Sequence, residues 1–496
     1  MNIQLGIITF RTKPIKEVVM QRIIRISISL SLLIVAGLLG SSLVACNGSG
    51  EVGNQNPSRP NIILIMTDDQ PMHTMDHMPI VQKELIEKGV NFTRAYSTTP
   101  LCCPSRASII TGLFAQHTGV LTNRPGAPAF EKDEETVAVW FKQAGYRTGW
   151  LGKYFNNIDV LGLDYRPPGW DDYQILWDRD KGYDHFSFFY GYYLNNNGKL
   201  ISYGHDAEDY SSDVFTEKAK SFIKESGEQP FLLIVSYYSP HYPYEAARRH
   251  EELFTTDEDW KPHWPPNFIE EDMSDKPEWL RTMRKIDYNY ALDSDQAMLR
   301  SLMSVDDGVG EILALLEKRQ IRDNTIVVFM SDNGMSVGEH HIIGKDCPYE
   351  ECIQIPLVVV DPHADQAPRT ESKFALNIDL TPTFLEWAGI PNPSGLDGVS
   401  LLPILQNPQA DWRDHVFIEH YKDGEADDPS GLSSRIPTYW AIRTDEWKYV
   451  EYIHGEIELY DLLNDRYELQ NLAYQPEYAD LIEKFSAQIK PFRYEP

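Results

Sequence analysis

Residues 61–70 read Asn-Ile-Ile-Leu-Ile-Met-Thr-Asp-Asp-Gln, a continuous apolar run that stops at two adjacent carboxylates. A short run of this kind is typical of a strand buried on both faces, as in a parallel sheet. Residues 231–235 and 325–330 form similar runs that lead into polar residues, and residues 355–360 are predicted to form a fourth strand. Helical patterns lie between the strands, over residues 79–89, 134–145, 212–226 and 289–319. This alternation predicts an α/β fold, in which helices sandwich a mostly parallel central sheet.

The composition narrows the class of protein. The chain has 496 residues, a formal net charge of −29, 42% apolar residues and five Cys. Disorder, a collagen-like fibre and a disulfide-dense scaffold are therefore excluded. A general nucleic-acid binder would need a basic face, so nucleic acid is not an expected partner. The acidic balance also repels a long polyanion, which favours attack on a short substrate over a grip on a long anionic chain.

The N-terminal residues have the pattern of an export signal. Arg22 and Arg25 precede an apolar run over residues 26–39, and Leu-Val-Ala-Cys ends at Cys46. A charged region, an apolar region and a small-residue exit are typical of a secretory signal. Residues 1–46 are therefore predicted to be a lipoprotein signal with Cys46 lipidated. A transmembrane anchor is the alternative, although the apolar run is short for a bilayer.

These features predict an exported bacterial lipoprotein, periplasmic or at the cell surface, with a lipid anchor in the membrane. Met20 is an alternative start of the chain. Residues 47–60 are polar and rich in Gly and Pro, as expected of a tether. The predicted main domain covers residues 61–408. Short strand-like runs and a final helix near residues 476–490 predict a smaller C-terminal α+β subdomain over residues 409–496.

Polar side chains follow three of the predicted strands. Asp68 and Asp69 follow the first strand, His241 follows the second, and Asp332 and Asn333 follow the third. In α/β folds the ligand site lies beyond the carboxyl ends of the strands. One acidic strand end is often only a helix cap or a turn, but two ends with adjacent oxygen ligands predict a shared metal site. Carboxylate and amide oxygens suit Ca²⁺, and Mg²⁺ is the alternative.

Residues 101–112, Leu-Cys-Cys-Pro-Ser-Arg-Ala-Ser-Ile-Ile-Thr-Gly, form the most specific stretch. Pro104 suits a first helical turn and Gly112 suits a C-terminal cap, so Cys102 is placed just before a helix N-terminus. The helix dipole and free N–H groups favour an anion there, and Arg106 lies one turn further on. A buried, inert Cys pair is the alternative, and the local pattern leaves both open.

This stretch resembles the signature of the type I sulfatases, Cys-x-Pro-Ser-Arg followed by a helix that ends in Thr-Gly. The resemblance extends from about residue 58 to the end, and within the family it is strongest to N-acetylglucosamine-6-sulfatases and extracellular heparan endosulfatases. Further matches are Gly152-Lys153-Tyr154, Pro240-His241-Tyr242-Pro243, Ser331-Asp332-Asn333-Gly334, and Gly338-Glu339-His340 with Lys345. Phe155 stands where many arylsulfatases have His, so Asn156 is the residue that would replace it as a polar contact.

The resemblance implies an alkaline-phosphatase-like fold and a specific chemistry. A separate maturase would oxidise Cys102 to formylglycine, whose hydrate presents two hydroxyls. One hydroxyl would bind calcium and attack sulfur, and the other would let the covalent sulfate ester collapse. Two easier steps would then replace one difficult substitution.

The resemblance also implies roles for individual residues. Asp68, Asp69, Asp332 and Asn333, together with the modified Cys102, would hold the metal. Arg106 and Lys153 would position the modified residue and the sulfate, Lys345 would contact the sulfate, and His241 would be the general acid, titrating near neutral pH. His340 is assigned to the substrate-binding or supporting residues and His341 is a weaker candidate; an exposed loop is the alternative for both.

The expected function is removal of sulfate from a sulfated carbohydrate, with the 6-O-sulfate of N-acetylglucosamine as one candidate. A phosphomonoester or phosphodiester hydrolase of the same superfamily is one alternative. A non-catalytic, glycan-binding surface lipoprotein with an unmodified Cys102 is another. The aromatic residues between 165 and 193 either stack on sugars or pack as an insertion over the sheet. Cys347 and Cys352 are close enough in sequence to form a disulfide.

Overall fold

The computed structural model describes residues 59–178, 187–256, 260–423 and 435–494. The predicted signal, the lipidation site Cys46 and residues 47–58 of the predicted tether lie outside these ranges. The described residues belong to one compact unit. Within the described ranges, no helix combines the length and the apolar character that are needed to cross a bilayer.

A ten-stranded sheet forms the centre of this unit. Its five central strands are parallel, and the strand Leu357–Val360 runs antiparallel to its neighbour Thr325–Ser331. From one edge to the other the strands are Arg369–Glu371, Val90–Phe92, Leu357–Val360, Thr325–Ser331, Asn61–Thr67, Phe231–Ser236, Arg147–Gly152, Asp172–Trp177, Tyr193–Asn196 and Lys199–Ser202. The mostly parallel α/β architecture predicted from the sequence is confirmed.

All four strands predicted from apolar runs are present, because residues buried on both faces leave an unbroken apolar signal. Arg147–Gly152 was not predicted, since two Gly and a Thr interrupt its apolar character. The predicted helix over residues 79–89 is broken into Pro79–Val81 and the π-helical turn Gln82–Ile86. The other helices of seven or more described residues are Cys102–Thr111, Val137–Gln143, Ser211–Glu225, Tyr288–Lys318, Leu380–Trp387 and Ala479–Ile489.

Smaller elements complete the described unit. Two-stranded pairs join Ala95–Tyr96 to Ala375–Leu376 and Ser336–Val337 to Ile343–Gly344. Short helices are Ala115–Thr118, Glu278–Arg281, Glu350–Ile353 and Leu402–Gln406. Near the C-terminus, the strands His415–His420, Tyr439–Thr444, Trp447–Tyr452 and Ile457–Asp461 form an antiparallel sheet, and the helix Ala479–Ile489 packs against it. Cys347 and Cys352, for which the sequence left a disulfide open, are joined by one.

The register of the central strands brings their carboxyl ends to one level. Thr67 pairs with Ser331, while Met66 and Gly152 both pair with Ser236. Asp68, Lys153 and Asp332, each the next residue after its strand, therefore emerge side by side. Gly152 is required at this edge, because its φ is +108° and a Cβ atom there would lie 1.9 Å from the Ser236 carbonyl oxygen.

The aromatic stretch over residues 165–193 packs as an insertion. Trp170, Tyr173 and Trp177 belong to one hydrophobic core and Phe189 and Tyr192 to another, all of them buried. Residues 179–186, which include Phe186, lie outside the described ranges. Buried rings cannot stack on a sugar, so the packing alternative holds for these side chains.

A buried carboxyl in the C-terminal sheet gives a first prediction. Glu419 accepts hydrogen bonds from the Gln116 N–H (3.3 Å) and the Tyr421 hydroxyl (2.8 Å), and burial raises its pKa to about 7. Unfolding therefore releases a proton, so this contribution to stability is present below about pH 4.3 and is lost as pH rises through 7. Between pH 5 and 8, the unfolding free energy of the wild type should fall by about 2 to 3 kcal/mol more than that of Glu419→Gln. Urea unfolding at both pH values measures this, and an unchanged pH dependence would contradict it.

Candidate active site

Residues from separate parts of the chain meet at the carboxyl edge of the sheet. The ligand atoms of Asp68, Asp69, Cys102 and His241 all lie within 4.8 Å of one another. The Asn333 Nδ2 donates a hydrogen bond to Asp69 Oδ1 at 2.8 Å. The two carboxylates, Cys102 and Asn333 are buried, so their charges and dipoles act in a medium of low dielectric constant.

Asp69 reaches this position through an uncommon backbone conformation. Its φ is +65°, in the left-handed region that Asp tolerates better than most residues. The Asp69 N–H donates to Asp332 Oδ1 at 3.2 Å, and the Asn333 N–H donates to the same oxygen at 2.8 Å. Asp332 thus joins the tips of two neighbouring strands.

Cys102 is the first residue of the helix Cys102–Thr111, and its side chain is fully buried. Its Sγ lies 3.5 Å from Asp68 Oδ1 and 3.8 Å from Asp69 Oδ1, and the Lys345 Nζ lies 2.7 Å from the sulfur. Burial raises the pKa of the thiol well above its usual range, although Lys153 and Lys345 oppose this. An unmodified Cys102 is therefore a protonated, weak nucleophile at neutral pH.

Cations surround the carboxylates. The Arg106 guanidinium is fully buried and donates from Nε to Asp332 Oδ2 at 2.8 Å. Lys153 forms an ion pair with Asp68, and Lys345 donates to both Asp69 oxygens at 2.7 and 2.8 Å. Each carboxylate therefore has a nearby cationic partner, which offsets the cost of burying its charge.

The pKa values of the carboxyls separate as a result. Burial opposes ionisation of Asp68, but the charges around it, Lys153 foremost, hold its pKa well below the usual range. Burial and the charge of Asp68 raise the pKa of Asp332 to about 6, with Arg106 opposing that rise. Such divergent shifts within one cluster are typical of functional sites.

His241 lies at the rim of the group. Its Nε2 is 3.6 Å from Asp69 Oδ2, its Nδ1 donates to the Tyr242 carbonyl at 2.8 Å, and its ring packs on Tyr238. Burial, followed by the charge of Lys153, lowers the pKa of His241 to about 4. This differs from the near-neutral titration that the sequence predicted, because the ring is desolvated beside an ammonium.

The assignment of His340 needs correction. Its side chain is buried, Nδ1 contacts Glu270 Oε2 at 2.6 Å, and Nε2 contacts the Asn267 Nδ2 at 3.1 Å. Both ring nitrogens are thus occupied by internal partners, so His340 is not available to a substrate. His341 is also buried, and the exposed-loop alternative is wrong for both residues. Phe155 packs in the core against Phe130.

The donor set suits a hard divalent cation. Within the described residues, the buried Asn333 Oδ1 has no hydrogen-bond partner, while its Nδ2 donates to Asp69 and to the Gly334 carbonyl. An orphaned amide oxygen beside two ionised carboxylates is expected where a cation completes the site. The residues therefore fit calcium or magnesium.

Two site residues were not identified from the sequence. The Ser236 hydroxyl accepts a hydrogen bond from the Arg106 Nη1 at 2.6 Å, and the Tyr238 ring lies 5.6 Å from the Lys153 Nζ. Ser236 is the last residue of the apolar strand that precedes His241, and Tyr238 follows that strand. Their position at its carboxyl end could have identified them from the sequence.

Comparison with known families decides where this chain belongs. The family model named Sulfatase matches residues 60–390, which include all the clustered residues. The chain belongs to the sulfatase family. A second family model, named N-sulphoglucosamine sulphohydrolase, C-terminal, matches residues 338–495. The family predicted from the sequence is confirmed.

Individual relatives agree with this membership. The chain is 34% identical over 395 residues to the extracellular sulfatase Sulf-1 homolog of Caenorhabditis elegans, covering 74% of this chain and 53% of that protein. It therefore spans about half of the nematode protein. It is 30% identical to human N-acetylglucosamine-6-sulfatase, covering 90% of this chain and 85% of the human protein. The N-acetylglucosamine-6-O-sulfatase of Bacteroides thetaiotaomicron is 28% identical, with 89% and 87% covered.

Solved structures share the fold. BT4656 in complex with its substrate, D-glucosamine-2-N,6-O-disulfate, has a TM-score of 0.74 and 27% identity, covering 88% of this chain and 97% of that one. The phosphonate monoester hydrolase of Agrobacterium radiobacter has a TM-score of 0.70 at 20% identity, with 88% and 95% covered. The second likeness concerns the fold alone.

Proposed function

We propose that this chain is a sulfuric ester hydrolase that removes sulfate from a sulfated carbohydrate. The observation that carries the proposal is the convergence of Arg106, Lys153 and Lys345 with three buried acidic side chains around Cys102. Electrostatic stabilisation of a transferring anionic group needs such preorganised cations in a dry site.

The proposed substrate carries a 6-O-sulfate on N-acetylglucosamine. Support comes from relatives named N-acetylglucosamine-6-sulfatase and from the substrate of BT4656, which is a 6-O-sulfated glucosamine. A maturase that modifies Cys102 is the second proposed partner.

The proposed cofactors are Ca²⁺ and a formylglycine made from Cys102. Asp68, Asp69, Asp332 and Asn333 would hold the cation, which supplies Lewis-acid polarisation of the sulfate oxygens. Formylglycine supplies, as its hydrate, an oxygen nucleophile that a protonated thiol cannot match. Support comes from family membership, the orphaned Asn333 oxygen and the raised pKa of the Cys102 thiol.

The remaining chemistry belongs to the protein's own side chains. Lys153 and Lys345, with Nζ atoms beside Asp68 and the Cys102 sulfur, would bind the sulfate oxygens and orient the group for attack. His241 would hold a proton on Nε2 for the leaving sugar oxygen. The negative charge of a bound sulfate ester would favour this proton and would oppose the burial that lowers the pKa of His241.

A substrate panel tests the proposal. Matured enzyme should release sulfate from N-acetylglucosamine 6-sulfate far faster than phosphate from the matching phosphate ester, and EDTA should abolish release until Ca²⁺ is restored. A higher rate on the phosphate ester would support the phosphohydrolase alternative. Binding without turnover by protein that contains the aldehyde would support a glycan-binding role instead.

The role of His241 gives a sharper prediction. We expect His241→Ala to lower kcat/KM about 100-fold on N-acetylglucosamine 6-sulfate, where the leaving alkoxide needs a proton. On 4-nitrophenyl sulfate, whose leaving group is stable as an anion, the loss should stay within about fivefold. Initial rates on the two substrates measure this difference. Equal losses on both would mean that His241 positions sulfate and does not deliver the proton.

We also propose that the chain is an exported lipoprotein anchored through Cys46. The pattern of residues 22–46 supports this. Metabolic labelling with a fatty acid should mark the wild-type protein in the membrane fraction and should not mark Cys46→Ala. Equal labelling of the two proteins would contradict lipidation at Cys46.

A further inference from the structure

Trp264 and Tyr288 form an exposed aromatic pair. The Trp264 and Tyr288 rings stack with centroids 4.9 Å apart and planes 16° apart, and Phe268 packs edge-on against Trp264. Trp264 is 43% exposed and Tyr288 47% exposed. Large rings that pack together and stay open to solvent suit stacking on an apolar face of a ligand, because Trp and Tyr side chains lose little conformational entropy on binding.

Phe268 and its neighbours in sequence connect this pair to residues 338–340. Phe268 pairs with Glu339, the Ile269 N–H donates to the Gly338 carbonyl, and the His340 N–H donates to the Asn267 carbonyl. Residues 338–340 belong to the chain between Asn333 and Lys345. Phe268 also packs against a hydrophobic cluster that contains Tyr244, Met335 and Ile343. These three residues lie within three positions in the sequence of His241, Asn333 and Lys345, respectively.

Basic side chains shortly precede Tyr288 in the sequence. Residues 279–286 contain Arg281, Arg284 and Lys285 and no acidic residue, in a chain with a net charge of −29. All three are exposed, and none forms an ion pair with a residue that the structure describes. The charge of Lys285 reaches the ring of His341, whose pKa burial lowers and Lys285 lowers further. Asp287, the nearest acidic residue in sequence, caps the following helix by accepting the Asn289 and Tyr290 N–H groups.

We propose that Trp264, Tyr288, Arg284 and Lys285 form a subsite for a sulfated sugar residue that adjoins the one losing its sulfate. The rings would stack on the pyranose face, and the two cations would bind its sulfate. The subsite rests on the proposed function, because it takes its ligand class from a sulfated saccharide substrate. It implies that oligosaccharides are better substrates than monosaccharides, which the overall acidic charge had argued against.

Paired substrates and matched controls test the subsite. Trp264→Ala, Tyr288→Ala and Arg284→Ala/Lys285→Ala should each lower kcat/KM on a heparin-derived tetrasaccharide about 5- to 50-fold, which is typical of a central anchor residue. Rates on N-acetylglucosamine 6-sulfate should stay within about twofold. Tyr474→Ala, at another exposed ring, and Lys224→Ala/Lys318→Ala, with the same change of charge, should leave both rates unaltered. Equal losses on both substrates, or none on either, would overturn the proposal.

A binding measurement separates this proposal from the proposed function. In a Cys102→Ala background, which cannot turn over, Trp264→Ala should weaken binding of the same tetrasaccharide about tenfold or more. That loss would support the subsite even if the wild-type protein proved to have no sulfatase activity. Analytical sedimentation tests whether a second copy of the chain covers this surface instead. If Trp264→Ala converted a dimer to a monomer and left tetrasaccharide binding unchanged, the surface would be a contact between two copies of the chain and the proposal would fail.

Discussion

Cys102→Ala is expected to lower kcat/KM on a sulfated sugar by roughly 10⁴-fold or more, because loss of a covalent nucleophile is among the largest single effects in catalysis. The fold should survive. The side chain is small, and its removal relieves the approach of the Lys345 Nζ to the buried sulfur. Sulfate release by purified protein and thermal unfolding of the same sample measure the two effects.

Cys103→Ala is the matched control for this experiment. Cys103 is the next residue of the same helix and is equally buried, but it belongs to the hydrophobic core. We expect it to change turnover less than about threefold, at a cost in unfolding free energy of about 1 kcal/mol. Wild-type turnover by Cys102→Ala, or by native protein whose Cys102 peptide contains only the thiol by mass spectrometry, would refute formylglycine chemistry.

Asp332→Ala should abolish both activity and metal binding, and should also destabilise the protein. The substitution removes a proposed metal ligand and leaves the fully buried Arg106 without its 2.8 Å partner. Breaking one side of a buried ion pair costs about 3 to 5 kcal/mol, so a fall of that size in unfolding free energy should accompany a loss of kcat of about 10³-fold or more. Urea unfolding, sulfate release and calcium titration measure the three effects.

Asp306→Ala controls for damage to a buried carboxylate in general. Asp306 accepts the Ile80 and Val81 N–H groups at 2.9 and 2.8 Å, and it lies outside the proposed metal site. Its loss should lower stability while turnover per folded molecule stays normal. Normal turnover by folded Asp332→Ala would remove Asp332 from the metal site.

Local sequence was sufficient for much of the fold and of the site. Buried parallel strands need continuous apolar runs, so their ends are visible in the sequence, and the acidic residues that follow them meet because the strands are in register. The pattern of Pro104 and Gly112 likewise located the helix of Cys102. Gly112 does adopt the left-handed cap conformation, with φ of +74°.

Other features depend on contacts between distant residues, which sequence patterns do not contain. The ring nitrogens of His340 are occupied by Glu270 and Asn267, some 70 residues earlier. The pKa of His241 falls because burial desolvates the ring and because Lys153, which follows another strand, lies beside it. The sequence shows that residues 165–193 are rich in aromatic side chains, but tertiary packing decides which of these rings stay exposed.

The burial of Cys102 also imposes an order on the life of the polypeptide. No edge of this sulfur is open to water, and Lys345 and Asp68 close over it from two sides. A second protein would have to displace these neighbours to reach the sulfur in the folded chain. If a second enzyme oxidises Cys102, as proposed, we expect it to act before the chain folds, because the folded chain would present it with a buried and protonated thiol.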